Sequence, residues 1–172
     1  AGNTLILSLS AALFTWTLAI PLGVWIAVRR GRLSDRIVSI LGFLGMSIPN
    51  FFLAFLLMRW ALHSGWFPVG GTFSLDYEQL APLAKVADRL HHLVLPTIVL
   101  GTAGMGSLMR LMRSAVIELE RSDFARTARA KGLGEGRVLF VHIMRNALNP
   151  FVTLAGYELG ALLGGAALVE NV

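Results

Sequence analysis

The chain has 172 residues, of which 55% are hydrophobic and 15% are charged, and its mean hydropathy is +0.68. Soluble domains are about 45–50% apolar and about 25% charged, so this composition excludes an ordinary soluble domain. The absence of cysteine excludes disulfides, cysteine metal sites and thiol catalysis. In such an apolar chain the net charge of +5 matters through its distribution among the loops, and no nucleic-acid partner is expected.

Four apolar blocks are predicted to span a bilayer, because a span needs about 20 apolar residues. Span one covers residues 4–28 and span two covers residues 37–58, and neither contains a charged residue. Span three covers roughly residues 93–109, and span four covers roughly residues 151–169 with one acid, Glu158. The first block is longer than the about 7–15 apolar residues of a signal peptide, which favours a span. Because no methionine opens the chain and nothing follows LVENV at the end of the last predicted span, we expect a piece truncated at both ends.

The basic residues of the loops predict how the spans are oriented. Four arginines lie between spans one and two, three basic residues between spans two and three, and eight between spans three and four. Loops that are rich in arginine and lysine stay in the cytoplasm. The first and third loops are therefore predicted to be cytoplasmic and the second to face outward, so that both ends of the chain lie outside.

The proline bend of span two and the acid of span four supply the candidates for lining a translocation path: Pro49, Asn50 and Glu158. Pro21 and Pro49 lie within spans one and two, where proline kinks a helix or ends a segment. Such a bend is either a packing kink or the lining of a pathway, and the second reading makes Pro49 and Asn50 candidates. Glu158 is a candidate because ionisable residues are costly within a span; the alternative is a satisfied interhelical hydrogen bond.

Small residues recur in the last two spans. Span three contains a cluster of three glycines, and in span four three glycines lie four residues apart: Gly156, Gly160 and Gly164. Small residues at this spacing let helix backbones approach closely in lipid. A tightly packed bundle is therefore predicted, with a second membrane subunit as a candidate neighbour of span four.

The loop of residues 59–92 is predicted to form turns at its glycines and at Pro68. Residues 80–90 are predicted to form a short helix along the membrane surface. His91 and His92 precede span three and could be metal ligands. Two adjacent histidines without a further ligand cluster are more often interfacial, so no metal site is expected.

The third loop contains the sequence FARTARAKGLGEGRVLFVHIMRNALNP, which begins at Phe124. Ser122 is a suitable N-cap and Gly132 a suitable stop, so a helix is predicted over residues 123–131. A second helix is predicted over residues 135–148. Four residues are spaced along this helix: Val138, Val141, His142 and Arg145.

The residue types of the first loop helix suggest that it is presented to a partner. Its small residues would permit close approach, and its basic residues could meet acids on that partner. The alternative is that the loop lies on anionic headgroups, where each basic residue contributes about 1 kcal/mol. The residues alone leave both interpretations open. The small residues are Ala125, Thr127, Ala128 and Ala130, and the basic ones are Arg126, Arg129 and Lys131.

Two stretches of this loop resemble a known family. RTARAKGL, from Arg126, and HIMRNALNP, from His142, are similar to the EAA loop of binding-protein-dependent ABC importer permeases. The variant resembles that of the dipeptide/oligopeptide/nickel permease family, in particular its peptide permease B-type subunits. The resemblance extends over nearly the whole chain through GNTLILSLSAAL, IPLGVWIAVRRGR, LGMSIPNFFLAFLL, LHHLVLPTIVLG and LGALLGGAALVENV.

The resemblance implies an all-α polytopic transmembrane helix bundle with the type I ABC importer (MetI-like) permease fold. Residues 1–172 would form its transmembrane domain, and residues 113–149 would form the cytoplasmic EAA, or coupling, loop within it. Arg126 stands where the general motif has glutamate, a departure that is usual in the peptide-type subgroup. The residues implied to couple with an ATPase subunit are Arg126, Thr127, Ala128, Arg129, Ala130, Lys131, Gly132 and Leu133.

The resemblance also implies a function. The chain would belong to a permease subunit of the bacterial inner membrane that translocates peptides by alternating access, with nickel or glutathione as alternative cargo. Its partners would be two ABC ATP-binding subunits, a second homologous permease subunit and an extracytoplasmic substrate-binding protein. ATP and Mg would lie on the partner subunits, so this chain is expected to bind no cofactor and to contain no catalytic residue. A membrane enzyme is disfavoured by the lack of HExxH and GxSxG motifs; a secondary transporter or channel without an ATPase partner is the rival class.

Overall fold

The structure is a computed structural model that describes the backbone of residues 2–170 and the side chains of residues 2–45 and 47–161. This part of the chain is helical and contains no strand, which confirms the all-α class. The helices are α1 (Gly2–Val28), α2 (Leu33–Ser47), α3 (Asn50–Ser64), α4 (Pro82–Glu120), α5 (Asp123–Ala130), α6 (Glu135–Arg137), α7 (Met144–Ala147) and α8 (Asn149–Glu170). A 3-10 turn covers Tyr77–Gln79, and a π turn covers Val138–Ile143.

Three helical stretches are long and apolar enough to cross a bilayer: Gly2–Val28, Pro82–Glu120 and Glu135–Ala161. A fourth crossing results if the bent pair Leu33–Gly45 and Asn50–Ser64 is counted as one span. The number then equals the four spans predicted from hydropathy.

Pro49 divides the predicted second span into two helices, and the two helices are bent by 96°. Proline has no N–H to donate to a preceding turn, and it keeps the residue before it out of the α conformation. Pro49 instead starts α3, where its carbonyl accepts hydrogen bonds from the N–H groups of Phe52 (2.9 Å) and Leu53 (3.1 Å). The prediction that Pro49 ends a segment is confirmed, whereas Pro21 lies inside the uninterrupted α1.

The helix that contains span three is much longer than predicted. α4 has 39 residues, which gives a length of about 58 Å and exceeds the hydrocarbon core of about 30 Å. The predicted surface helix over residues 80–90 is wrong, because Pro82 begins α4 and no helix-breaking residue precedes Pro96. Pro96 itself lies inside α4 without ending it.

The segment between α3 and α4 contacts the first turns of α4 through Asp88 and His91, while His92 makes its contact within α4. The Asp88 carboxylate accepts hydrogen bonds from the backbone N–H (2.8 Å) and the hydroxyl of Ser74. His91 Nε2 lies 2.8 Å from the carbonyl oxygen of Trp66, and His92 Nδ1 lies 2.9 Å from that of Asp88. In the described part of the chain, no group of three or more potential ligands could hold a metal ion.

The described residues form two compact units, and α1, α2 and α4 each contribute to both. The second unit comprises residues 2–18 and 41–106. Within it, α1 and α4 approach closely, since Thr15 Oγ1 lies 2.8 Å from the carbonyl oxygen of Gly101. A Cβ atom on Gly101 would lie 2.5 Å from Phe14 Cδ1 and 3.2 Å from the carbonyl oxygen of Ala11. Gly101 is therefore a small residue that this helix contact requires.

The first unit comprises residues 19–40 and 107–170. Within it, α1 and α4 approach closely at Gly23, where a Cβ atom would lie 2.6 Å from Met112 Cβ and 2.7 Å from the Met109 carbonyl oxygen. In α8, Cβ atoms on Gly156 and Gly160 would meet nothing within 4 Å, and Gly164 lies outside the residues whose side-chain surroundings are described. The packing role of these three glycines stays a prediction.

Candidate functional site

The loop helix predicted over residues 123–131 is present as α5, Asp123–Ala130. Ser122 occupies the N-cap position with an extended backbone, φ −67° and ψ 155°, but its side chain makes no capping hydrogen bond. The Ser122 hydroxyl instead donates to the carbonyl oxygen of Leu119 at the end of α4. The acid Asp123 in the first turn supplies the negative charge that favours a helix N-terminus.

The stop of α5 is a Schellman motif built on Gly132. The Gly132 N–H donates to the carbonyl oxygen of Arg129 (2.9 Å), and the Leu133 N–H donates to that of Ala128 (3.3 Å). This pair of bonds requires a left-handed residue, and Gly132 has φ +80°. The prediction that Gly132 terminates the helix is confirmed, with Lys131 as the C-cap residue.

The small residues of α5 do not all face outward. Ala125 is fully buried and Ala128 is 5% exposed, whereas Thr127 and Ala130 are exposed. α5 packs against the π turn of the same chain. The expectation that all four small residues admit a partner therefore needs correction, because Ala125 and Ala128 let α5 approach its own chain.

The π turn sets which face of the following helix is buried. It contains a hydrogen bond from the Met144 N–H to the carbonyl oxygen of Leu139, five residues earlier. An α-helix has 3.6 residues per turn, so positions five apart differ by about 140° around its axis. The wider π turn allows one buried stripe whose successive spacings are five, four and four residues. Its members are Val138, Ile143, Ala147 and Phe151.

The second loop helix predicted over residues 135–148 is present as α6, the π turn and α7, but its four spaced residues do not share one face. Val141 is 53% exposed and Arg145 is also exposed, so neither shares the buried face with Val138. The π turn replaces the regular α-helical repeat at this point. The signal that could have indicated the real face was the apolar residue Ile143, five positions after Val138.

Arg129 makes three hydrogen bonds within the chain. Its Nε and Nη2 donate to the two carboxylate oxygens of Glu135 at 2.8 and 3.1 Å, and its Nη1 donates to the carbonyl oxygen of Glu120 at 3.0 Å. The bonds to Glu135 raise the pKa of Arg129 above its ordinary value, so the guanidinium stays charged. One side chain thereby connects the last residue of α4, the last turn of α5 and the first residue of α6.

Four residues of the predicted coupling set form an exposed surface on and just after α5, here called the α5 outer surface: Arg126, Thr127, Ala130 and Lys131. The Arg126 side chain is 73% exposed and has only a loose approach of 3.9 Å to Asp123. The Thr127 hydroxyl donates to the carbonyl oxygen of Asp123 at 2.8 Å, as serine and threonine often do within helices. Gly132 is exposed and Leu133 is half-buried at the stop. The α5 outer surface can therefore offer positive charge and little steric bulk.

Sequence reasoning missed an ion pair between the buried Asp35 of α2 and the half-buried Arg113 of α4. Arg113 donates from Nε and Nη2 to the two carboxylate oxygens of Asp35 at 3.1 and 2.9 Å. The same carboxylate accepts from the Gly31 N–H (3.0 Å) and the Ser39 hydroxyl (3.3 Å), and its side chain is only 8% exposed. The available signal was that Asp35 is the single acid in the basic stretch RRGRLSDR, although nothing local indicates Arg113 as its partner.

The three translocation-path candidates lie in different units. Pro49 and Asn50 are exposed at the start of α3 in the second unit, and Glu158 is exposed on α8 in the first unit. Their role in a path stays a prediction.

The sequence matches known transport proteins over most of its length. The profile of the family described as "Binding-protein-dependent transport system inner membrane component" matches residues 19–172. The oligopeptide transport system permease protein AppB of Bacillus subtilis (strain 168) is 40% identical over 99% of this chain and 52% of its own length.

Two further relatives carry dipeptide or di/tripeptide names. The di/tripeptide transport system permease protein DppB of Pseudomonas aeruginosa (strain UCBPP-PA14) is 41% identical over 98% of this chain and 54% of its own length. The dipeptide transport system permease protein DppB of Escherichia coli (strain K12) is 37% identical over 98% of this chain and 55% of its own length. The chain thus spans about half the length of the curated relatives it matches. With its several membrane-spanning helices and this profile match, the chain belongs to the family of inner membrane components of binding-protein-dependent transport systems.

Proposed function

We propose that this chain is the core of a permease subunit that imports peptides by alternating access, driven by ATP hydrolysis on partner subunits. The observation that carries the proposal is α5, a short helix held at both ends that presents the α5 outer surface in a predicted cytoplasmic loop. The names of the relatives, all oligopeptide or dipeptide permeases, support peptides as cargo.

The proposed mechanism uses α5 as the element through which an ATP-binding subunit moves the spans. A force on the α5 outer surface would pass through Ala125 and Ala128 to the π turn, which continues into α7 and α8. It would also pass through Arg129 to the end of α4. Nucleotide binding shifts the equilibrium between inward and outward states only through a difference in its affinity for them.

The proposed assembly has two ABC ATP-binding subunits, a second homologous permease subunit and an extracytoplasmic substrate-binding protein. ATP and Mg bind the ATP-binding subunits, and this chain contributes no catalytic residue and no cofactor. Substrate selection then depends largely on the binding protein.

Replacing Arg126 by tryptophan is expected to lower peptide uptake and co-purification of the ATP-binding subunit by about tenfold, equivalent to about 1.4 kcal/mol of docking free energy. The reason is that an indole on the exposed Arg126 position blocks close approach and removes a positive charge. Uptake of a labelled dipeptide into proteoliposomes that contain the assembled importer measures the effect.

The matched control is Arg30→Trp, which makes the same change at an exposed arginine of the first loop. It is expected to leave uptake and co-purification near the wild-type level. If Arg126→Trp behaves like Arg30→Trp in both measurements, α5 is not the docking element and the proposal fails. A ligand screen of the cognate binding protein tests the cargo separately: peptide binding supports it, and Ni²⁺ binding without peptide binding overturns it.

A further inference from the structure

Arg129 was expected to contact the ATP-binding subunit, but its contacts assign it a different role. We propose that Arg129 is a positioning residue that fixes the orientation of α5 relative to α4 and α6. The proposal rests on the proposed function, because orientation of α5 matters only if α5 couples the permease to its ATPase. This proposal divides the predicted coupling residues into those that face the ATP-binding subunit and one, Arg129, that fixes the orientation of α5.

The guanidinium of Arg129 is already committed to the chain. Three of its five N–H donors are used: two on the Glu135 carboxylate in a bidentate arrangement and one on the Glu120 carbonyl oxygen. That carbonyl belongs to the last residue of α4, where the C-terminal carbonyls have no helical partner and attract positive charge. A docking role for Arg129 would require these bonds to be broken or shared.

α5 needs such a directional contact. It has eight residues, fewer than the about 12–15 that make an isolated helix even marginally stable in water. Its buried face consists of the two alanines Ala125 and Ala128, which are small and provide little resistance to rotation of the helix about its axis. The Arg129 bonds reach the backbone carbonyl oxygen of Glu120 at the end of α4 and the Glu135 carboxylate at the start of α6, so they oppose that rotation.

Arg126 provides the contrast within the same helix. Its side chain is 73% exposed and lies 3.9 Å from Asp123, whereas the Arg129 side chain is 34% exposed and holds two partners. The Glu135 side chain is 75% exposed, so this pair contributes little to global stability. Loss of Arg129 should therefore change the position of α5 and leave the fold intact.

The test compares Arg129→Gln, Glu135→Gln and the double variant in the assembled importer, reconstituted with the full-length permease. Two quantities are measured: dipeptide imported per ATP hydrolysed, and hydrogen exchange of the α5 amides. A positioning role predicts that Arg129→Gln lowers the transport ratio about three- to tenfold and speeds exchange of these amides. Glu135→Gln should have a smaller effect of the same kind, because the bond to Glu120 remains. The double variant should match Arg129→Gln alone, since both residues act in one contact.

Arg126→Gln is the matched control, and it should reduce binding of the ATP-binding subunit without changing exchange in α5. Independent, additive effects of Arg129→Gln and Glu135→Gln would overturn the proposal. So would loss of ATP-binding subunit from Arg129→Gln with unchanged amide exchange, which would make Arg129 a contact residue. Arg129→Lys keeps the positive charge but loses the bidentate geometry. If the α5 amides of this variant exchange as slowly as in the wild type, the positioning role of Arg129 is also contradicted. Failure of the proposed function is recognised separately, by an Arg126→Trp variant that transports and assembles normally.

Discussion

Replacing Arg113 by methionine is expected to lower the free energy of unfolding by about 3–5 kcal/mol, because it leaves the Asp35 carboxylate buried without its cation. The Asp35 side chain is 8% exposed and receives two hydrogen bonds from Arg113, at 3.1 and 2.9 Å. The remaining donors, the Gly31 N–H and the Ser39 hydroxyl, cannot neutralise the charge. Thermal unfolding of the detergent-solubilised permease measures the loss.

Two controls distinguish the effect of breaking the Asp35–Arg113 ion pair from the general effect of replacing an arginine by methionine. Arg126→Met makes the same change at an exposed position, and surface changes of this kind usually alter stability by less than about 0.5 kcal/mol. Combining Arg113→Met with Asp35→Asn removes the buried charge, so the double variant should recover part of the stability. Equal stabilities of Arg113→Met and Arg126→Met would contradict this account, and so would a double variant less stable than Arg113→Met.

Replacing Gly23 by alanine is expected to destabilise the protein by about 1–3 kcal/mol, the usual cost of overpacking a tight contact. The added Cβ would lie 2.6 Å from Met112 Cβ and 2.7 Å from the Met109 carbonyl oxygen. The second of these is a backbone atom, so relief requires α1 and α4 to separate locally. The melting temperature in detergent and the yield of folded protein report the change.

Gly104→Ala is the matched control for Gly23→Ala, because it makes the same substitution inside α4. A Cβ on Gly104 would contact only Thr15 Cγ2, at an ordinary 3.9 Å. Its stability should equal or slightly exceed that of the wild type, since alanine favours helix over glycine by about 1 kcal/mol. The close approach at Gly23 is refuted if the two variants melt at the same temperature.

The features that sequence predicted well are those set by local chemistry. Long uncharged blocks predict spans because the bilayer requires apolar length. Pro49 was recognised as a segment end because proline has no N–H for the helical hydrogen bond, although Pro21 and Pro96 lie inside continuous helices. Gly132 was recognised for a similar reason, since a left-handed stop follows from a glycine after a run of helix formers. The bounds of α5 followed from these local signals to within one residue.

The features that sequence missed depend on partners far along the chain or on a change of helical pitch. Asp35 and Arg113 are 78 positions apart, and many arginines were equally available to Asp35 before the fold was known. The start of α4 was misplaced because residues 82–92 are polar enough to look like a separate surface helix. Arg129 was predicted to contact an ATP-binding subunit because a sequence motif shows that an arginine is present at this position of the loop. Only its hydrogen bonds to Glu135 and to the Glu120 carbonyl oxygen show that the side chain faces its own chain.

The π turn determines which sequence changes can disturb the buried stripe that begins at Val138, in the π turn against which α5 packs. Its role depends on containing one residue more than an α-helical turn would, so a substitution within Val138–Ile143 leaves the relation between Val138 and Ile143 intact. A one-residue deletion there would restore the ordinary pitch and place Val138 and Ile143 four positions apart, about 40° around an α-helix, so both would stay on the stripe shared with Ala147 and Phe151. In the divergence of this segment, loss of that one extra residue is therefore compatible with the buried stripe, as are changes of residue identity at exposed positions such as Phe140 and Val141.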